Sequence, residues 1–412
     1  MRVAAFAYSC EPGKGSEPGA GWTWVRMIAR SADVWVLTRA NNRASVEYAL
    51  CDLPERERLH FVYIDLPTWA MRWKRGQRGV RLYYVFWQFA ALRAALRLHR
   101  TVSFDVAWHL TLANAWLGSA ASFARLPFIY GPVGGGIGMP WRLVPVLGLK
   151  GAAYELLRAA ARAVSRYLSP LPRASWRRAN LILVQNRETL DWLPARHRTK
   201  SRIVQHAVVA GVERCRDFGN AGPVALFAGR LIPWKGGELA LRALADAPRW
   251  RLLVCGEGND RVRLEGIAQE LSILDRVEFC GNLSRSDLAD LMGRVDALLH
   301  PSLHDDAPLV VTEALSHGLP IVCLDRGGPP VLAGDAGLTV RSAHNASTVS
   351  RELAAALEKA LAPGARARAW ERAAELTFER MSVQVAELLA AVTANPRISS
   401  PPPMLAHGED AA

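Results

Sequence analysis

The stretch FAGRLIPWKGGELALRAL, residues 227–244, closes a hydrophobic run at Arg230 and opens a helical pattern at Lys235, with a glycine pair behind it. A lysine suits a helix start poorly, because the macrodipole already places about half a positive charge there. If the run is a strand of a parallel sheet, both cations project from its carboxyl end, where such sheets bind ligands. Two like charges beside a positive helix end repel one another unless an anion lies between them. A diphosphate meets that need, each charge-assisted contact contributing about 1.5–3 kcal/mol. The plain alternative is a lysine that points to solvent.

Outward from this stretch, short apolar runs alternate with helical segments. Strands are predicted at 2–8, 33–39, 59–65, 105–111, 127–133, 180–186 and 202–206, then at 223–229, 250–255, 276–280, 295–300, 320–324 and 337–340. Segments 235–245, 284–292, 309–317 and 345–393 read as helical. Such alternation argues parallel sheets covered on both faces. It occurs twice, with a lapse at 207–222. The fold class is therefore α/β, with two doubly wound Rossmann-like domains facing across a cleft. The expected units are 1–210, 211–385, and a helix end with a proline-rich, disordered tail over 386–412.

The 412 residues exceed the usual size of a single core. Six cysteines, scattered without metal-type spacing, read as free thiols in a reducing compartment. Met1-Arg2 leads straight into a strand-like run rather than a leader. The uncharged stretch Val106 to Ala124 carries His109, Asn114 and hydroxyls, so it reads as a strand followed by a helix, not a membrane span. The formal charge of +13 is regional: residues 68–100 hold eight Lys/Arg and no acid, and 141–180 hold eight against one. Nucleic acid would suit the charge. The interleaved aromatics, among them Trp69, Trp73, Phe86, Trp141 and Tyr167, suit an anionic bilayer surface better. A solvated basic face on ordinary core helices is the bland alternative.

Gly13 and Gly15 follow the first strand as a dinucleotide fingerprint would, but Pro18 occupies the third glycine position, which disfavours an NAD enzyme. A glycine loop there still allows close approach to a ligand, or is a plain turn. In HPSLHDDAPLVVTEALSHGLPIV, Asp305 and Asp306 precede a helix with Pro308 near its first turn and Gly318 beyond its end. Glu313 lies eight positions after Asp305, about 12 Å along the helix, too far for a glycosidase pair. The two carboxylates could hold the ends of a long ligand, with the N–H groups near Pro308–Val310 at its middle.

In combination, G-R-x-x-x-x-K-G from Gly229 to Gly236, then Gly256-x-Gly258, then the Asp305/Glu313 pair and A-x-x-x-G-x-P-I resemble the retaining glycosyltransferases of family 4, which have the GT-B fold. EPGKGSEPGAGW, VLTRANNR and GPVGGG are similar to a bacterial polysaccharide-type branch of that family. The resemblance implies that Arg230 and Lys235 bind the donor diphosphate, that Glu313 grips the ribose, and that backbone at Leu309 and Val310 supports the phosphates. It implies that Asp305 contacts the transferred sugar, that His109 faces the sugar's reacting side, and that the loop carrying Gly15 closes over donor and acceptor. It implies a nucleoside diphosphate sugar as donor, no metal or other cofactor, and a glycan or polyprenyl-linked acceptor on the first domain. A cytoplasmic enzyme, peripheral on the inner membrane face and without a nucleic-acid partner, is the matching expectation. Asp305 stands where the family usually has glutamate, and Ala307 where an aromatic is common. A nucleotide-sugar 2-epimerase on the same fold, or a non-catalytic sugar-binding protein, are the alternatives.

Overall fold

A computed structural model describes residues 1–67, 80–209, 211 and 222–394. Trp69, Trp73, Cys215, most of the 207–222 lapse and the tail from 395 lie outside the described residues. Every predicted strand is present. The first sheet holds β1 (Arg2–Phe6), β2 (Asp33–Thr38), β3 (Leu59–Tyr63), β4 (Val106–His109), β5 (Phe128–Val133), β6 (Leu181–Val184) and β7 (Ser201–Ile203). Its spatial order is β3-β2-β1-β4-β5-β6-β7, parallel throughout. The second holds β8 (Val224–Ala228), β9 (Arg251–Cys255), β10 (Val277–Gly281), β11 (Ala297–His300), β12 (Ile321–Leu324) and β13 (Gly337–Val340), ordered β10-β9-β8-β11-β12-β13, also parallel. β4, β5, β6, β8, β11 and β12 are buried along their whole length, which is why they read as unbroken apolar runs. Strand order reverses between β1 and β4 in one sheet and between β8 and β11 in the other, so each has its crevice there.

Helices α1 (Ser16–Ala29), α2 (Val80–Val102), α3 (Gly148–Leu168), α4 (Pro170–Arg178), α5 (Gly237–Ala245), α6 (Leu309–Ser316) and α7 (Phe378–Ala394) matter for the site. Alternation along β1 sends Val3 and Ala5 into a core with Trp24 of α1, and Ala4 and Phe6 into one with Trp87 of α2 and Trp176 of α4. Thus α2 and α4, far apart in sequence, cover the same sheet face. The chain also trades segments between its halves. Met139, Leu143, Val146 and Leu147 pack in the core of the second sheet with Phe227 and Leu239. In return, Met381, Val385, Leu388 and Val392 of α7 fill the first core. The return of the last helix follows the GT-B expectation; residues 139–147 had been placed by sequence in the first unit, and their core lies in the second.

Two local expectations need correction. Val106 to Ala124 is a strand followed by an irregular loop and one short turn of 3-10 helix at Ala120–Phe123, not a longer helix. Leu112 takes a positive φ of 51°, and the Asn114 Oδ1 accepts the Trp116 N–H at 3.0 Å, both of which oppose helical continuation. The helix of the opening stretch begins at Gly237, not at Lys235. Pro233–Lys235 form a 3-10 turn, and Gly236 is left-handed at φ +80°. A Cβ on Gly236 would lie 2.1 Å from the Pro301 carbonyl oxygen, so the first glycine of the pair is a steric requirement.

Candidate functional site

A cavity of about 830 Å³ lies between the two sheets. The loops that line it leave the four strands flanking the two reversals. Ser16 and Glu17 follow β1, and Leu112 and Asn114 follow β4. Gly229, Arg230 and Lys235 follow β8, and Asp305 to Val310 follow β11. Gly256, after β9, completes that wall. Gly229 and Gly256 both have positive φ, 149° and 136°, and a Cβ on Gly256 would lie 2.0 Å from the Gly229 carbonyl oxygen. The two loops therefore touch backbone to backbone, leaving room above them.

Lys235 is not an isolated cation. Its Nζ makes a short ionic hydrogen bond to Asp305 Oδ2, which also accepts from His300 Nε2 at 3.2 Å. Burial works against the Asp305 charge, but the Lys235 ammonium and the His300 hydrogen bond outweigh it and hold the carboxyl well below the usual range. Burial keeps His300 neutral, so the proton on Nε2 is the one facing Asp305, leaving buried Nδ1 without a partner. Arg230 is exposed at the cavity wall. The expected repulsion between the two cations is thus relieved on one side by Asp305. The N-terminus of α6 faces the same cavity: Pro308 is its N-cap, with no capping side chain and no acid in the first turn, and Leu309 and Val310 line the cavity. Its first N–H groups form a site for negative charge.

The first wall meets the second through contacts that sequence reasoning missed. Asp306 accepts from the Gly135 N–H through Oδ2 and from Asn186 Nδ2 through Oδ1, each at 2.9 Å. A Cβ on Gly134 would lie 2.5 Å from that carboxylate, and one on Gly136 would lie 2.2 Å from Thr189. GPVGGG is therefore a close-approach loop. Nearby, the Gly327 N–H donates to Glu188 Oε1 at 2.9 Å, and Arg326 Nη2 donates to the Gly138 carbonyl. Glu17 accepts the Leu112 N–H through Oε1 and places Oε2 3.9 Å from His206 Nδ1. Trp234, between Arg230 and Lys235, stacks on Tyr154 at 5.2 Å and on His304 at 5.5 Å. The doubled aspartate in HDDAP was the available signal for Asp306; the others carry none in one sequence.

Other expected residues fall outside the cavity. His109 is buried behind Tyr84: Nε2 lies 2.9 Å from Tyr84 Oη and Nδ1 2.7 Å from Ser119 Oγ. Burial pushes its pKa down to about 3, against one opposing hydrogen bond to the Thr111 backbone. It is a satisfied core histidine here, with no nitrogen left for a sugar. Glu313, on α6, pairs with Arg285 Nη2 at 3.3 Å beyond the cavity lining. Gly15 is the N-cap of α1, next to cavity-lining Ser16. Gly258 meets the Leu231 carbonyl oxygen, 2.0 Å from where a Cβ would stand, and serves the loop rather than the cavity.

Residues 217–377 match the family described as Glycosyl transferases group 1. The D-inositol 3-phosphate glycosyltransferase of Mycobacterium marinum is 38% identical over 117 residues, 27% of this chain and 25% of that protein. The 2-deoxystreptamine glucosyltransferase of Streptomyces kanamyceticus is 28% identical over 262 residues, 59% of this chain and 65% of that protein. The match thus spans between a quarter and just under two thirds of these relatives. The structure of Anabaena Alr3699/HepE in complex with UDP superposes with a TM-score of 0.62 at 18% identity, covering 95% of this chain and all of that one. At that identity the likeness carries the fold alone. The chain has the GT-B fold.

Proposed function

We propose that the protein transfers a sugar from a nucleoside diphosphate sugar to a hydroxyl of a glycan or lipid-linked acceptor, with retention of configuration and without a metal ion or other cofactor. One observation carries this: Arg230, Lys235 and the uncapped start of α6 line one cavity at the reversal point of the second sheet. The UDP and UDP-glucose named in the HepE structures support a nucleotide sugar as donor. In this reading the diphosphate lies between the two cations and the α6 N–H groups, which stabilise the leaving charge as the glycosidic bond breaks. Asp305 holds Lys235 in place until the phosphate arrives. Its depressed pKa keeps it ionised, so it acts as an acceptor of hydrogen bonds from the sugar or from Lys235, not as an acid. Gly229 and Gly256 leave space for the nucleotide, and Glu313 reaches the ribose if Arg285 releases it. The acceptor hydroxyl enters along the first wall, past Glu17 and Asn114.

A panel of uridine and guanosine diphosphate sugars, followed by anomeric NMR of the product, tests the reading. Transfer that persists in chelator, with the donor's anomeric configuration retained, is the expected result. Isomerisation of the donor without an acceptor would replace transfer by epimerisation. Donor binding without turnover would leave a sugar-binding protein. Among the described residues no helix is long and apolar enough to cross a membrane. The basic first half supports a peripheral position on an anionic, cytoplasmic membrane face, with no role for nucleic acid.

A further inference from the structure

Helix α3 is inside out. Its inner face buries charge: Glu155 is 1% exposed, bonded to Arg158 Nε at 2.9 Å and to His304 Nε2 at 2.7 Å. Arg162, 8% exposed, donates to the Ile137 carbonyl oxygen at 2.8 Å. Its outer face is apolar: Leu149, Leu156, Leu157, Val164, Tyr167 and Leu168 are 91%, 59%, 71%, 53%, 66% and 73% exposed. At about 100° per residue these six fall within roughly 120° of arc, one stripe along a helix of about 30 Å. The inner hydrogen bonds fix the helix's rotation, so the stripe cannot turn inward.

The surroundings say what covers it. Arg142, Lys150, Arg173, Arg177 and Arg178 are exposed around the stripe and along α4, while the sole acid of residues 141–180, Glu155, is buried. Helix α2, on the same sheet face as α4, adds exposed Phe86 and Phe89 beside exposed Arg93 and Arg97. A second copy of this chain would set cations against cations. A surface that is apolar below and anionic above satisfies both features.

We propose that the outer face of α3, with its basic rim, seats the protein on an anionic lipid bilayer. This names the face for the membrane position suggested above and, as to purpose, rests on the reading of a lipid-linked acceptor. The same helix reaches the donor side from within, since Tyr154 stacks on cavity-lining Trp234. A bilayer under the stripe would therefore lie behind one wall of the cavity.

The test is flotation of the full chain with vesicles of phosphatidylcholine alone and of phosphatidylcholine mixed equally with phosphatidylglycerol. Binding should require the anionic lipid and weaken at high salt. The double variant Leu157→Ser/Leu168→Ser should bind at least about tenfold less, keeping its melting temperature and its rate on soluble substrates. Val262→Ser, at an 80% exposed apolar site on the second unit, should bind like the parent. Equal binding by the double variant, or no binding by the parent at low salt, overturns the proposal. So does a dimer in sedimentation that the double variant loses while neither protein binds vesicles. None of these outcomes touches the transfer reading, which stands or falls on the donor panel.

Discussion

The two walls of the cavity are built from equivalent parts and have opposite character. In each, loops follow the two strands at the sheet's reversal, and a helix points its amino end at the opening. In the first wall that helix, α1, carries Glu17 in its first turn, so a carboxylate already sits at its positive end. In the second, α6 has neither an acid in its first turn nor a capping side chain, and Arg230 and Lys235 stand nearby. Repeating one architecture therefore yields one wall that favours an anion and one that disfavours it. Under the proposed transfer reaction, a charged leaving group would belong to the second and an uncharged hydroxyl to the first.

The comparison breaks most directly at Lys235. Lys235→Ala should lower turnover by about 10²–10³-fold, the usual effect of losing one preorganised donor to developing charge. Asp305 loses its partner in that variant, so melting should be checked beside initial rates, and adding Asp305→Asn should restore melting without restoring rate. An unchanged rate would remove the diphosphate from this wall. Next in size, Glu17→Gln keeps an acceptor for the Leu112 N–H while removing the charge. It should raise the KM for acceptor by about tenfold and leave that for donor nearly unchanged, a split that kinetics against each substrate reads directly. The reverse split would exchange the roles of the walls.

Smaller effects sharpen the contact between the walls. Asp306→Ala strips the Gly135 N–H and Asn186 of their acceptor. Leaving such part-buried donors unpaired costs about 1–3 kcal/mol, a fall of a few degrees in Tm by calorimetry. The smallest effect on catalysis is expected at His109. Its folded pKa of about 3 lies below the ordinary value near 6.5, so between them only the unfolded chain takes up the proton. Stability should fall as pH drops from about 6.5 toward 3, and His109→Gln should flatten that fall in urea unfolding while kcat changes only a few-fold. A lost acid limb in the kcat/KM profile would instead put the histidine in the reaction.

Much of this was legible in the residues. The six strands buried along their whole length must be apolar throughout and stood out for that reason, and the others still showed short apolar runs between polar bounds. Arg230 and the start of α6 reach the cavity because they follow β8 and β11, the two strands flanking the reversal of the second sheet. Gly236 and Gly134 were visible as glycines, but not as places where the Pro301 carbonyl and the Asp306 carboxylate approach. Residues 139–147 offered an apolar pattern that fits either core, so their crossing to the second could not be read. The inversion of α3 was hidden for the same reason: periodicity reveals that a helix has two faces, and not which one is covered.

What the sequence by itself determined is therefore local: that strands alternate with helices, and which of them end in charge or in glycine. Tertiary structure decided which groups meet, as when Lys235 reaches Asp305 seventy residues on and Asp306 meets Gly135 across a separation of 171. The reason is one of range. Side-chain periodicity reflects neighbours within a turn or two, whereas distant partners are chosen by strand order and by the way two finished sheets close on each other.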